Sequence, residues 1–412
     1  MVQHANGSIL QPLVDRALAA GQQAFGRAFR PSFASVAPGR LELLGNHVDY
    51  NGGPVLAAAI DRVVAIVVDE RGRPNEVTAV AGDVSPKLLQ VAIGDSEDWR
   101  SPGGEPDPEA YLRGAVAALL SRGKQVKDGL RLSIAGDVTL GFGMSSSAAL
   151  CVALVNVLSS KQLEPQEIVL TAQDAEHRAG TPCGTMDQSA SVAGNIIRYD
   201  GADDSFTVLQ PDLGEYVFAV ADSGVTRSLG TSSYSVRVDE ARRAVTLLRK
   251  HLETDLTSLG QLTNSQWRAI EQHGESWLPA PLFARVRHVF TECERVRVGI
   301  DAVEQNDWTA FGRLMIESGR SSAGDYEISH PRVEELVAEV LKGEGVLGAR
   351  MMGGGEGGPA LILLQREALP ALERRLRAGY FRRHAMNDRD ELIQACRFGA
   401  GARLIQLPNG PA

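Results

Sequence analysis

The chain is poor in cysteine, with four in 412 residues, at Cys151, Cys183, Cys293 and Cys396. Their spacings are wide and include no C-x-x-C pair, which argues against a zinc site and against a disulfide framework. Positive charge is also in deficit: 42 Lys and Arg stand against 51 Asp and Glu, for a net charge of −9. No basic stripe runs along the sequence, so a nucleic-acid partner is not expected. No segment comes near the roughly 18 uninterrupted apolar residues of a membrane span. Around Gln3, His4 and Asn6 there is no charged region leading into an apolar stretch, and a cytoplasmic protein is expected. No G-x-x-x-x-G-K-[ST] stretch exists, which removes the P-loop class. Asn387-Asp388-Arg389-Asp390 lacks every other part of the protein-kinase set. Neither an internal repeat nor a low-complexity tract is present.

What remains is an ordinary globular composition, 43% hydrophobic and 23% charged. This length suits two domains or one large α/β unit. Apolar residues at helical spacing predict a helix over Ile9 to Phe25. Short β-branched runs predict strands at Ser35–Ala37, Val63–Val68 and Val77–Val80, with the turn cluster at Arg71–Asn75 between the last two. Pro108 and Gly123 bracket a helix around Tyr111 to Leu120. A strand is expected at Leu130–Ala135, then helices at Ser145–Ser159 and Pro165–Ala179. Strands are expected at Ile196–Tyr199 and Val217–Ala221. Helix then dominates from Ser233 to about Val340, before strands at Ala349–Met351 and Ala360–Leu364. The change of texture places a soft boundary near Gln210 to Gly214, dividing the chain into 1–212 and 213–412.

Four segments carry candidate chemistry. In Leu140-Gly141-Phe142-Gly143-Met144-Ser145-Ser146-Ser147-Ala148-Ala149, a strand runs through a glycine turn into an alanine-rich helix. Glycines let the backbone approach an anion, and a helix N-terminus presents free N–H groups and partial positive charge. Serine hydroxyls can bond phosphate or magnesium. A plain serine N-cap is the structural alternative, but three consecutive serines exceed what capping needs. A dinucleotide turn is rejected: Ser146 stands where the third glycine belongs, and Glu167, about 20 residues on, lies in a helical pattern.

The second segment, Pro38 to Gly53, packs Arg40, Asn46, His47 and Asp49 between glycine turns. Such groups read several hydroxyls at once, as donors and acceptors in fixed places. Asn51-Gly52 is also a turn signal, and a turn can sit beside a site. The third is Glu176 followed by Gly180-Thr181-Pro182-Cys183-Gly184-Thr185-Met186-Asp187-Gln188, which reads as a constrained loop. A lone Asp there is most simply a turn or cap residue. The fourth, Gly348 to Gly358, is a glycine cluster between two strands, explicable by tight packing alone.

Together, and in this order, the segments resemble the galactokinase branch of the GHMP small-molecule kinases. The family's Gly-Arg-x-x-x-x-Gly-Glu-His-Thr-Asp-Tyr-Asn-Gly-Gly signature is similar to Gly39 to Gly53. Its phosphate loop corresponds to Gly141 to Ala148, and its Cys-Gly-Ile-Met-Asp-Gln stretch to Cys183 to Gln188. Asp222-Ser223-Gly224, Ser233 to Arg237, Asp325 to Ser329, Gly353 onward and Phe398 to Ala402 also match, so the likeness spans about Pro38 to Leu404. It implies a two-part α+β fold: an N-terminal half like domain 2 of ribosomal protein S5 and a ferredoxin-like C-terminal half, with the site between them.

The resemblance also implies roles. Asp187 matches the catalytic aspartate and Arg40 the arginine beside it. Ser147 and Glu176 match magnesium ligands. Asn46, His47, Asp49, Gly184 and Tyr234 fall at sugar-contacting positions, and Gly141, Phe142, Gly143, Met144, Ser145, Ser146 and Ser147 at the ATP phosphates. The departures are Asn46 for the signature glutamate, Val48 for threonine, and Glu356 within the glycine cluster. The expected activity is ATP- and Mg²⁺-dependent phosphorylation of a galactose-like sugar at its anomeric hydroxyl, by a monomer. A kinase for a uronic acid or a pentose, and a non-catalytic sugar sensor, are the alternatives. An acidic chain that binds ATP must build its own positive pocket from backbone N–H groups, magnesium and a few arginines.

Overall fold

The computed structural model describes residues 3–4, 10–94, 96–225 and 234–407. Ile9 and Ser233, both expected at helix starts, lie outside the described residues. The first half is organised on a nine-stranded sheet whose centre is the antiparallel pair Phe33–Leu44 and Pro54–Asp69. Alternation along the β-branched run explains that position. Val63, Ala65 and Val67 enter one core beneath the helix Gln11–Phe25, while Val64, Ile66 and Val68 enter the other. A strand buried on both faces reads as a continuous apolar run rather than an alternating one. The second core is filled by the helices Pro108–Ser121, Ser146–Leu158 and Pro165–Ala179. The middle of these is apolar all round, as a fully enclosed helix must be.

Two strands are longer than expected, and the difference matters for the site. Pro38-Gly39 looks like a break, yet Phe33–Leu44 continues through it with register shifts between Pro38 and Arg40 and between Glu42 and Leu44. The shifts absorb the irregular residues without ending the pairing. Ser85–Ala92 is an additional strand, missed because it pairs along the sheet margin and buries little of its length.

The second sheet is antiparallel throughout, in the order Val346–Met351, Ala360–Gln365, Tyr216–Ala221, Ile393–Cys396. Helices Tyr234–Leu252, Asn264–Trp277, Ala280–Glu304, Trp308–Gly324 and Pro331–Val340 make up most of the connecting stretch, as expected. Phe218, Val220, Leu361 and Leu363 face the first half's core, so apolar packing is continuous between the halves. The chain leaves the first sheet after Leu209 and enters the second at Tyr216, and Arg403–Gln406 returns to pair with Phe33–Leu44. We propose a division near 212/213, with the returning strand counted in the first half.

Candidate functional site

Where the halves meet, a cleft of about 300 Å³ is lined by the Arg40 segment, the 143–147 loop, residues 181–187 and the glycine cluster beginning at Gly353. Four segments spread over more than 300 positions of the chain thus share one concavity.

The loop owes its shape to left-handed backbone. Gly141 and Gly143 have φ of 79° and 60°, and Ser145, at the helix N-cap, has φ 55°. A serine held there is uncommon and mildly strained. Its side chain explains the cost: Ser145 Oγ donates to Asp187 Oδ2. Gly143 turns its carbonyl toward Arg40, accepting from Nη1 at 2.6 Å. Met144 and Phe142 anchor the loop in the core. Phe142 does not line the cleft, so of this loop's expected nucleotide-contacting residues its side chain is turned away.

Asp187 sits in the first turn of the helix Met186–Ala193, not in a loop as expected. The apolar pattern around it is too short to announce a helix. Arg40 grips it with both arms of the guanidinium: Nε to Oδ1 and Nη2 to Oδ2, each 2.8 Å. This is the bidentate geometry that arginine provides and lysine does not.

Beside it, Glu176 accepts from Gln188 Nε2 at 2.5 Å. Burial pushes the Glu176 carboxyl up to about 7; the Asp187 charge adds to the rise, while hydrogen bonds from Ser147 and Gln188 oppose it. Burial likewise raises Asp49 to about 7, against a backbone hydrogen bond at Tyr50 and reinforced by the charges of Glu42 and Asp187. Gly184 is required next to Asp49, because a Cβ there would lie 2.6 Å from Asp49 Oδ2.

His47 and Tyr234 belong to an aromatic cluster with Tyr50 and Tyr326. Ring centroids of Tyr234 lie 5.5 Å from His47 and 5.1 Å from Tyr50. His47 Nδ1 and Tyr50 Oη are 2.9 Å apart, as are the Tyr50 and Tyr326 hydroxyls.

Asn46 is elsewhere. It is 0% exposed and lines no part of the cleft. Its Nδ2 donates to Glu42 Oε1 at 2.8 Å and to the Gly353 carbonyl at 2.9 Å, and its Oδ1 accepts from Ser322 Oγ at 3.1 Å. Where the sequence reading expected this amide at the sugar, both Nδ2 hydrogens and one acceptor site of Oδ1 are taken up by the protein. The turn carrying it is fixed by the buried Glu292, whose Oε1 accepts from the Gly45 and Asn46 N–H groups at 3.0 and 3.3 Å. Glu292, Glu42, Gln188 and Arg350 were all missed from sequence. Glu42, Gln188 and Arg350 lay inside the second, third and fourth segments without being singled out, and Glu292 carried no signal.

Comparison with known proteins assigns the family. The galactokinase galactose-binding signature matches residues 22–70, the GHMP kinases N terminal domain 110–195, and the GHMP kinases C terminal domain 300–381. The Homo sapiens galactokinase is 34% identical over 394 residues, covering 90% of this chain and 94% of that protein. The chain belongs to the galactokinase family. The relative from Roseiflexus sp. is also 34% identical, over 92% of this chain and 94% of its own length. The crystal structure of Lactococcus lactis galactokinase complexed with galactose superimposes with a TM-score of 0.84 at 25% identity, over 96% of this chain and all of that one. A mevalonate kinase shares the fold, with a TM-score of 0.62 at 17% identity. The expected GHMP kinase architecture is thereby borne out. Family membership makes the chain an ATP-using sugar phosphotransferase. No described helix is long and apolar enough to cross a membrane.

Proposed function

We propose that this protein transfers the γ-phosphoryl group of ATP·Mg²⁺ to the anomeric hydroxyl of galactose. The observation that carries the proposal is the Arg40–Asp187 fork, set between the serine-rich helix start and the segment that matches the galactose-binding signature. The anomeric oxygen attacks the γ-phosphorus as the bond from that phosphorus to the bridging oxygen of ADP breaks. The proton of the attacking hydroxyl passes to Asp187. Phosphoryl transfer asks mainly for positioning and charge neutralisation. Arg40 supplies the positive group nearest the transfer, and the N–H groups at the start of Ser146–Leu158 receive the phosphates.

The Ser147 hydroxyl and the Glu176 carboxylate are hard oxygen donors that line the same cleft, a set that fits Mg²⁺. Among the described residues there is no group of three His, Cys, Asp or Glu arranged for a metal. Two protein ligands leave the remaining positions to water and phosphate oxygens, as Mg²⁺ prefers. When bound, the ion neutralises charge developing on the phosphates. Asp49, His47, Gly184 and Tyr234 form the sugar side of the cleft.

The test is an ADP-release assay with galactose, galacturonate and pentoses, with the product's phosphate located by NMR. Galactose 1-phosphate as the preferred product supports the proposal. Preferred turnover of a uronate or pentose, or sugar binding without ADP release, overturns it.

A further inference from the structure

We infer that Glu42 is a sugar-binding residue, supplying to the cleft, from four positions upstream of Asn46, a carboxylate that Asn46 lacks. The inference rests on the galactokinase reading above. Arg40 and Glu42 stand two apart on one strand, between its register shifts, so their side chains leave on the same face. Both line the cleft, whereas Asn46 does not. Glu42 is only 6% exposed.

A carboxylate so enclosed must be compensated. Its Oε1 accepts from Asn46 Nδ2 at 2.8 Å and from Arg350 Nη2 at 3.0 Å. Oε2 accepts no hydrogen bond among the described residues, and is left to the cleft that the side chain lines. Arg350 is itself fully buried, and it ties Glu42 to the second half of the chain. It donates to the carbonyls of Glu42 and Leu43 on one side and Met351 on the other. Asn46 is locked in turn by Gly353 and Ser322. The arrangement holds one free carboxylate oxygen at a fixed point near Asp49, whose carboxyl feels the Glu42 charge. A fixed carboxylate acceptor in the cleft is suited to a neutral polyol and unsuited to an anionic sugar, since like charges brought together on binding are costly. The residue exchange at position 46 therefore preserves selection for a neutral hexose rather than relaxing it.

The test compares wild type, Glu42→Gln, Glu42→Asn, and the paired exchange Glu42→Asn with Asn46→Glu. Glu42→Gln is expected to raise the galactose KM by about 10- to 100-fold, the range for losing a hydrogen bond to a charged group. The KM for ATP should stay within about 2-fold, which also shows that the fold is intact. The paired exchange should recover most of what Glu42→Asn loses. A panel of monodeoxygalactoses adds a readout from substrate alone: one analogue should be penalised in wild type but no longer in Glu42→Gln. If the galactose KM is unchanged in Glu42→Gln, and every deoxy sugar keeps its wild-type penalty, Glu42 does not touch the sugar. If wild type does not phosphorylate galactose, it is the proposed function that fails.

Discussion

Arg40 and Asp187 are 147 residues apart in the chain, yet each carboxylate oxygen of Asp187 receives its own guanidinium nitrogen at 2.8 Å. The fork fixes both the position and the rotation of the carboxylate. It predicts that Asp187→Asn lowers kcat by about 10²- to 10⁴-fold, the usual cost of losing a positioned base. Arg40→Lys should lower kcat as well, because an ammonium cannot span both oxygens. Melting curves close to wild type must accompany both losses. A folded Asp187→Asn enzyme with full turnover removes Asp187 from the reaction.

Gly143 predicts a nucleotide effect. At φ 60° a β-branched residue is strongly disfavoured, and a Cβ would approach Pro359 Cδ to 3.4 Å. Gly143→Val is expected to abolish measurable ATP binding in isothermal titration, with galactose binding retained. Ser147→Ala, a smaller change, should raise the Mg²⁺ concentration needed for half-maximal rate.

Gly184 and Asp49 predict the opposite split. Placing a methyl 2.6 Å from Asp49 Oδ2 pushes the carboxylate from its place. Gly184→Ala should therefore raise the galactose KM while leaving the KM for ATP unchanged.

Asp49 also sets a pH dependence. Its carboxyl, raised to about 7 by burial, is half protonated near neutral pH and becomes an ionised acceptor only above that. At saturating ATP·Mg²⁺, kcat/KM for galactose should be flat above pH 8 and fall below about pH 7, approaching tenfold per unit. Asp49→Asn should lower the plateau and flatten this acid limb. An unchanged limb in that variant assigns the titration elsewhere.

Glu292 predicts behaviour in acid. Burial alone would raise its pKa, but Arg295, His288, Arg350 and the Ser318 hydroxyl overcome it and hold the carboxyl down to about 2. The folded value lies below the unfolded one. The stabilisation is therefore present above about pH 4.5 and lost as pH falls toward 2, amounting to about 3 kcal/mol. Urea midpoints measured across that range should fall for wild type. Glu292→Gln should be less stable at neutral pH, because Arg295 is left unpaired, and should show less of the acid decline.

The helix Pro165–Ala179 was legible to the residue, since proline at its start and Gly180 at its end are local signals. The phosphate loop was legible for the same reason: glycine and serine act through their own backbone within a few residues. Arg40 and Asp187 were named through the family resemblance of their segments; on its local pattern alone Asp187 read most simply as a turn or cap residue. The sequence by itself thus determined the family, most of the longer elements and the candidate reacting groups. It left the surroundings of position 46 undetermined. Whether a side chain enters the cleft or the core depends on register shifts at Gly39 and Leu43 and on partners at Gly353, Ser322 and Arg350, roughly 300 positions away. Only the tertiary structure decided that Glu42 faces the cleft and Asn46 does not. Strand pairing and charge compensation between distant segments leave no mark in local sequence pattern.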